Sequence, residues 1–391
     1  MIKHMQLGVV LALVAAAAVT ASAQPAKTDL EALAEKIVTK TSNVKEGDIV
    51  VINGDPGDQA LMEELAVAVV KHGGYPIVTT WSESAEKKLL DGAPAKYDAK
   101  TNAADLALAK VANVIISIPA VRDNSIYEKY PPERQQARAK ANQIVQDTIV
   151  KRAVRQVELS NGMAPSAARA KTLGVTEAEL STMYWAGLTA DYAAIEDKAK
   201  TVQDTLSKGG ELHITLPNGT DLKMKIKGRK VLASDGVISD ADVKAGGPAV
   251  QVWLPAGEVY LTPVPGTVEG KLVDDRMTIF EKEVLGVTAE IKAGKITTIT
   301  AKSGWELVKP RYDAAGAGKN EIGIIDFGVN PNVKTGGKLE TFVGAGNITI
   351  LTGNNVWAGG TNKEPFSFQF MMSGATVTLD GKPLIDNGTW K

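Results

Sequence analysis

The chain has no cysteine, three histidines and few aromatic residues, 5% of its 391 positions. Without cysteine there can be no disulfide, no thiolate metal site and no cysteine nucleophile. The histidines are His4, His72 and His213, so every imidazole lies in the first part of the chain and none follows His213. The formal net charge is −1 and no lysine or arginine run stands out, which argues against nucleic acid as a partner. A chain lacking disulfides must rest on buried apolar surface, and this length supplies enough of it for two domains of ordinary size.

The first segment reads as an export leader. Lys3 and His4 precede an apolar core of 13 residues, Leu7–Val19, and Ala21-Ser22-Ala23 forms a small-x-small cleavage site before Gln24. A membrane span needs about 20 apolar residues, so the core is too short to be one. The expectation is an exported chain, periplasmic or secreted, with residues 1–23 removed and no membrane attachment afterwards.

Residues 24–208 read as an N-terminal α/β and helical domain. Leu30, Leu33, Ile37 and Val38 recur at helical spacing over 29–40, with Thr28 or Asp29 as N-cap. Ile49–Ile52 is a short apolar run of buried-strand type. A turn follows it, Asn53–Gly57, without the spacing of a dinucleotide or Walker loop, and then an amphipathic helix over 59–72. Gly73-Gly74 closes that helix, and further strands are expected at Pro76–Trp81 and Ala112–Ile118. Strands alternating with helices at this rhythm predict a parallel sheet with right-handed crossovers. Residues 120–208 read as polar and helical. His72 at a helix end complements the helix dipole, and His213 in an alternating strand reads as structural.

From Gly209 the texture changes to a β-rich C-terminal domain over 209–391. Short runs at Glu211–Leu216, Asp221–Ile226, Val250–Leu254, Lys295–Ala301 and Ile348–Leu351 are separated by Pro-Asn-Gly, Lys-Gly and Ala-Gly turns. The fold class is therefore an α/β parallel-sheet domain followed by a β-rich α+β domain. No serine-nucleophile elbow, glycosidase carboxylate pair or phosphate cradle is present.

One stretch carries a more specific signal: Leu254-Pro255-Ala256-Gly257-Glu258-Val259-Tyr260-Leu261-Thr262-Pro263, followed by Val268-Glu269-Gly270. It resembles the signature of the aminopeptidase T family of metallo-aminopeptidases. That resemblance implies an N-terminal α/β domain, a C-terminal catalytic domain, a homodimer, a peptide or small-molecule ligand, and a pair of catalytic metal ions that Glu258 helps to bind. Asn320-Glu321-Ile322-Gly323 and Gly328-Val329-Asn330-Pro331 resemble the second metal-binding segment, with Glu321 as the matching carboxylate. Gly344-Ala345-Gly346-Asn347-Ile348 stands where the family has Gly-Thr-x-His-Ile, so Asn347 takes the place of a ligating histidine. Asn354 falls near an expected active-site tyrosine. Phe366–Met371 matches a His-x-Asp segment, with Ser367 for histidine and Gln369 for aspartate.

Residues two apart on a strand share a face, so Ser367-x-Gln369 keeps the geometry of His-x-Asp while losing its charge and imidazole. A two-ion hydrolase needs several anionic and imidazole ligands to polarise a carbonyl and generate hydroxide. The resemblance leaves Glu258 and Glu321 as the catalytic-site carboxylates and surviving metal ligands, with Asn347, Asn354, Ser367 and Gln369 lining the pocket. Oxygen-only ligation of that kind suits Mg²⁺, Ca²⁺ or Mn²⁺. If Glu258 and Glu321 lay close together without a metal, repulsion would raise one pKa. Asp326, five residues from Glu321, would face the opposite side of a regular strand. The expectation is an exported aminopeptidase-like protein with reduced or lost hydrolysis; the rival is a non-catalytic binding or scaffold protein on the same fold.

Overall fold

The computed structural model describes residues 27–122, 124–127, 130–279, 282–334 and 341–391. The leader read over 1–23 lies outside them. Among the described residues, no helix is long and apolar enough to cross a membrane.

The N-terminal part is built on a five-stranded parallel sheet ordered Tyr75–Thr80, Ile49–Gly54, Val114–Ser117, Arg155–Leu159, Gln251–Leu254. Alternation along Val50-Val51-Ile52 sends neighbouring side chains to opposite faces. Val50 and Ile52 join the main core with Leu65 and Val69 of the helix Gln59–Lys71. Val51 packs instead with Ala109, Val145 and Ile149 from the helices Ala103–Val111 and Pro132–Lys151. Helices therefore cover both faces, as an all-parallel sheet requires. The helix expected over 29–40 runs Lys27–Lys36 and widens into a π turn, Ile37–Thr41.

Two expectations need correction. The block 120–208 is not helical throughout, because Arg155–Leu159 is an inner strand of the parallel sheet. Its charged residues disguise it: Arg155 can be buried because its guanidinium meets Asp48 at 2.6 Å and also donates to the Ser42 and Asn43 carbonyls. Val250–Leu254, expected among the C-terminal strands, supplies the fifth strand of the same sheet. The chain thus returns to the N-terminal layer after residue 209.

The C-terminal part is antiparallel. Eight strands run in the order Lys295–Thr300, Lys282–Lys292, Glu269–Ile279, Asp221–Lys225, Glu211–Thr215, Thr376–Leu379, Lys382–Asp386, Thr389–Trp390. A second antiparallel sheet is ordered Gln369–Met372, Ile348–Thr352, Ile322–Gly328, Glu258–Leu261, Val231–Ser234. One face of this sheet is sealed: Val259, Leu261, Ile325, Phe327, Ile350 and Phe370 are fully buried. The other carries Glu258, Tyr260, Leu351, Gln369 and Met371, all half-buried. That half-open face holds the candidate site.

Candidate functional site

The parallel sheet hands over to the second antiparallel sheet through four residues, Leu254-Pro255-Ala256-Gly257, with a cis Leu254–Pro255 bond. Gly257 has φ +129°, and a Cβ there would lie 2.9 Å from the Asn330 nitrogen, so only glycine fits. The turn's carbonyls are tied from two sides. Asn161 Nδ2 donates to the Pro255 oxygen at 2.8 Å, and Asn330 Nδ2 donates to the Ala256 oxygen at 2.7 Å. The Gly257 carbonyl accepts from Val329 N at 2.8 Å. Glu258 therefore leaves a fixed turn as the first residue of its strand.

Asn161 also donates from Nδ2 to Glu258 Oε1 at 2.9 Å. It sits in the loop after Arg155–Leu159, at the carboxyl edge of the parallel sheet, where open α/β sheets present ligand-binding groups. Its φ of +40° is one that asparagine tolerates better than most residues.

Strand register determines what meets Glu258. It pairs with Gly328, while Tyr260 pairs with Asp326, and Asp326 pairs in turn with Thr349 and Thr349 with Met371. Directly opposed residues share a face, so Met371, Thr349, Asp326 and Tyr260 form one rung on the half-open side. Glu258 is the diagonal neighbour of Asp326, close enough for each carboxyl to act on the other's titration. Burial pushes both carboxyls above their ordinary range, and the charge of Glu258 pushes Asp326 further. The Asn161 N–H favours the anion on Glu258, so Asp326 is the better home for the proton. Asp326 is 5% exposed and Thr349 1%. Among the described residues, neither Asp326 Oδ1 nor Thr349 Oγ1 has a hydrogen-bond partner.

Aromatic rings border the pair. The Tyr260 phenol is pushed up by burial and then by the charges of Glu258 and Asp326. Trp357 lies with its ring centroid 5.2 Å from that of Tyr260 and remains half exposed. Its short helical turn, Val356–Ala358, is held by Asn355, whose Nδ2 donates to the Gly323 oxygen at 3.1 Å.

The structure disperses the residues expected to line the site. Glu321 precedes the strand Ile322–Gly328 and pairs with Lys295 at 3.1 Å, partly exposed. The residue opposite Glu258 is Gly328, seven positions farther on, so at ~3.3 Å per residue the two glutamates lie roughly 23 Å apart along the strand. Only the last residues of that strand overlap Glu258–Leu261, which brings Asp326 to Glu258 in place of Glu321. Asn347 is buried two strands away; its Nδ2 donates to the Thr341 oxygen at 2.6 Å, and it lines a separate cleft of about 240 Å³ with Pro331, Val333 and Ser373. Asn354 is exposed and accepts from Val356 N at 3.1 Å as a turn cap. Ser367 Oγ donates to the Thr352 oxygen at 2.6 Å. Gln369 alone of these four lies on the half-open face, two residues before Met371. His72 and His213 are each spent on a carboxylate, Glu35 at 2.6 Å and Asp221 at 2.8 Å.

Sequence reading missed Asp326, Thr349, Trp357 and Asn161. Asp326 did leave a signal: it is the one charged residue in the apolar run Ile322–Gly328, all of it buried, and a buried charge asks for a partner. Asn161 left none, because nothing local connects it to a strand nearly a hundred residues on.

Among the described residues, no three His, Cys, Asp or Glu side chains converge as a metal group would require. One Glu258 oxygen takes the Asn161 amide N–H, and Asp326 is the carboxyl diagonal to it across the sheet.

The sequence profile of the thermophilic metalloprotease family M29 matches residues 26–319. Wild-type AmpT from Thermus thermophilus is similar in structure, with TM-score 0.70 and 21% identity over 93% of this chain and 99% of that one. A 2,5-dihydroxypyridine dioxygenase from Pseudomonas putida KT2440 is similar with TM-score 0.57 and 16% identity, over 94% of this chain and 98% of that one. At these identities the likeness concerns the fold, in which an α/β part with a parallel sheet precedes a mostly antiparallel part. No curated protein matches the sequence. The profile covers well over half of the chain, which belongs to the thermophilic metalloprotease family M29.

Proposed function

We propose that the protein is an exported member of the M29 family that accepts peptides in the family's cleft, with two-ion hydrolysis reduced or lost. The observation that carries this reading is the environment of Glu258. Its carboxyl is engaged by Asn161 and Asp326, and the neighbouring rung offers a hydroxyl, a thioether and a phenol in place of imidazole or further carboxylates. Hydroxyl, thioether and phenol oxygen or sulfur are weak ligands for zinc or cobalt. The leader pattern Lys3–Ala23 supports export, and the family resemblance supports pairing of two copies.

The test is to assay the purified mature chain on leucyl-anilide substrates with Co²⁺, Zn²⁺, Mn²⁺ or Mg²⁺, alongside thermal shift with a free tripeptide such as Phe-Ala-Ala. Stabilisation by the tripeptide without metal-dependent turnover is expected. Metal-dependent turnover abolished by Glu258→Ala overturns the reading.

A further inference from the structure

We propose that the outer strand of the parallel sheet, Tyr75–Thr80, is the surface through which two copies of this chain pair, antiparallel about a two-fold axis at Val78. The inference rests on the pairing of two copies proposed above and names the strand, the register and the residues that meet.

The strand is an unguarded edge. It stands first in the sheet order, and among the described residues it pairs only with Ile49–Gly54. The run Tyr75-Pro76-Ile77-Val78-Thr79-Thr80-Trp81 carries no charge, although edge strands are ordinarily protected by lysine or other charged side chains. Tyr75 is 64% exposed, Val78 47% and Trp81 48%, so one short segment holds three large apolar side chains open to solvent. Its inner flank is used: Tyr75 N donates to the Asp48 oxygen at 2.8 Å, and Trp81 N to the Gly54 oxygen at 3.0 Å. Backbone groups alternate in direction along a strand, so Pro76, Val78 and Thr80 turn theirs outward. Proline stands on the side where the sheet needs no N–H, which is where an edge tolerates it.

A second copy of the same strand satisfies this edge. About a dyad at Val78, Val78 opposes the partner's Val78, Pro76 the partner's Thr80, and Tyr75 the partner's Trp81. Each Val78 N–H then meets the partner's Val78 oxygen, and each Thr80 N–H the partner's Pro76 oxygen. Only the bonds that Pro76 would have to donate are lost. The same register matches the exposed side chains. Tyr75 and Trp81 share a face at non-hydrogen-bonded positions, where opposed side chains come closest and aromatic pairs are favoured. Trp81 is already oriented, its Nε1 donating to Glu86 Oε2 at 3.0 Å. Val78 meets its own copy on the other face. The dyad also carries the Lys71 end of each strand toward the Glu83 end of the other, so unlike charges flank the pair. A slip of two residues would set Tyr75 against Thr79 and Val78 against Pro76, separating the rings.

The experiment uses the full mature chain, with its mass in solution read by light scattering during size exclusion. Val78→Lys opposes like charges at the dyad from an exposed position, and its thermal transition should remain cooperative. The native chain is expected at twice the mass of this variant. The chain has no cysteine, so single cysteines report the register. Hydrogen-bonded antiparallel partners have Cα atoms about 5.5 Å apart, within disulfide reach. Copies of Tyr75 would stand six residues apart along the paired strands, about 20 Å. Val78→Cys is therefore expected to oxidise to a covalent dimer about tenfold faster than Tyr75→Cys, or more. Equal masses for the native chain and Val78→Lys overturn this surface. At twice the chain mass the copies pair elsewhere and pairing itself stands; at the chain mass both readings fall. Cross-linking of Tyr75→Cys as fast as Val78→Cys overturns the register.

Discussion

Replacing Asp326 with asparagine tests the carboxyl pair most directly. The amide has the shape of the acid, carries no charge at any pH and can offer Glu258 an N–H. In the native chain, burial pushes Glu258 from 4.5 to about 7 and raises Asp326 as well. Carboxyls whose folded pKa exceeds the unfolded value favour folding below the unfolded pKa and lose that advantage as pH rises through the folded one. Native stability should therefore decline from about pH 4.5 through neutrality. At about 1.4 kcal/mol per pKa unit, the Glu258 shift alone sets a scale of about 3 kcal/mol. For a cooperative unit of this size, that is about 4 °C in Tm. That part of the decline comes from the burial of Glu258 itself and remains in Asp326→Asn, which removes only the part due to Asp326: the variant should show little change at pH 5 and a higher Tm than the native chain at pH 8, read by thermal denaturation in low-salt buffer. A Tm difference between variant and native chain that is the same at pH 5 and pH 8 would show that the fold does not raise the pKa of Asp326, and the reading of the site would go with it.

Asn161→Ala removes two donors, one to the Pro255 carbonyl and one to Glu258; urea denaturation should show a loss of about 2–3 kcal/mol. Asp274 is buried behind the edge strand of the site sheet, accepts from the Arg276 and Met371 nitrogens, and is pushed by burial from 3.8 to about 7. Its sign matches that of the pair, so Asp274→Asn should flatten part of the fall in Tm between pH 4 and pH 7, additively with Asp326→Asn. Arg155→Met strands Asp48 in the interior, where the two meet at 2.6 Å. A loss of about 3–5 kcal/mol in chemical denaturation is expected, largely recovered by adding Asp48→Leu. Gly257→Ala should prevent stable folding, measured as loss of the cooperative transition, because the added Cβ meets the Asn330 backbone.

Much of the framework was legible because it is written in local pattern. Ile49–Ile52 announced a buried parallel strand, and Pro217-Asn218-Gly219 announced the turn between Glu211–Thr215 and Asp221–Lys225. Arg155–Leu159 was hidden because its pattern holds two charged residues, and only a partner more than a hundred positions away makes Arg155 an interior residue. The site divides the same way. Glu258 was readable from the Pro-Ala-Gly turn before it, which is local. Its partner was not, because choosing between Glu321 and Asp326 requires the register of two strands joined by some sixty residues, and a shift of a few positions moves one carboxylate from the site to the far end of the sheet.

That register also separates what holds the framework from what faces Glu258. The matched residues stop at 319, before the strand that carries Asp326 and before Thr349, Met371 and Trp357. The turn that delivers Glu258 is fixed from the other side, by Asn161 in the N-terminal layer and by the steric demand at Gly257. The strands facing Glu258 can exchange side chains without moving it, since their backbone pairing, and not their ligating groups, keeps the sheet together. A carboxylate kept in place by its own turn, facing strands whose side chains are free to differ, is what such a division of labour produces.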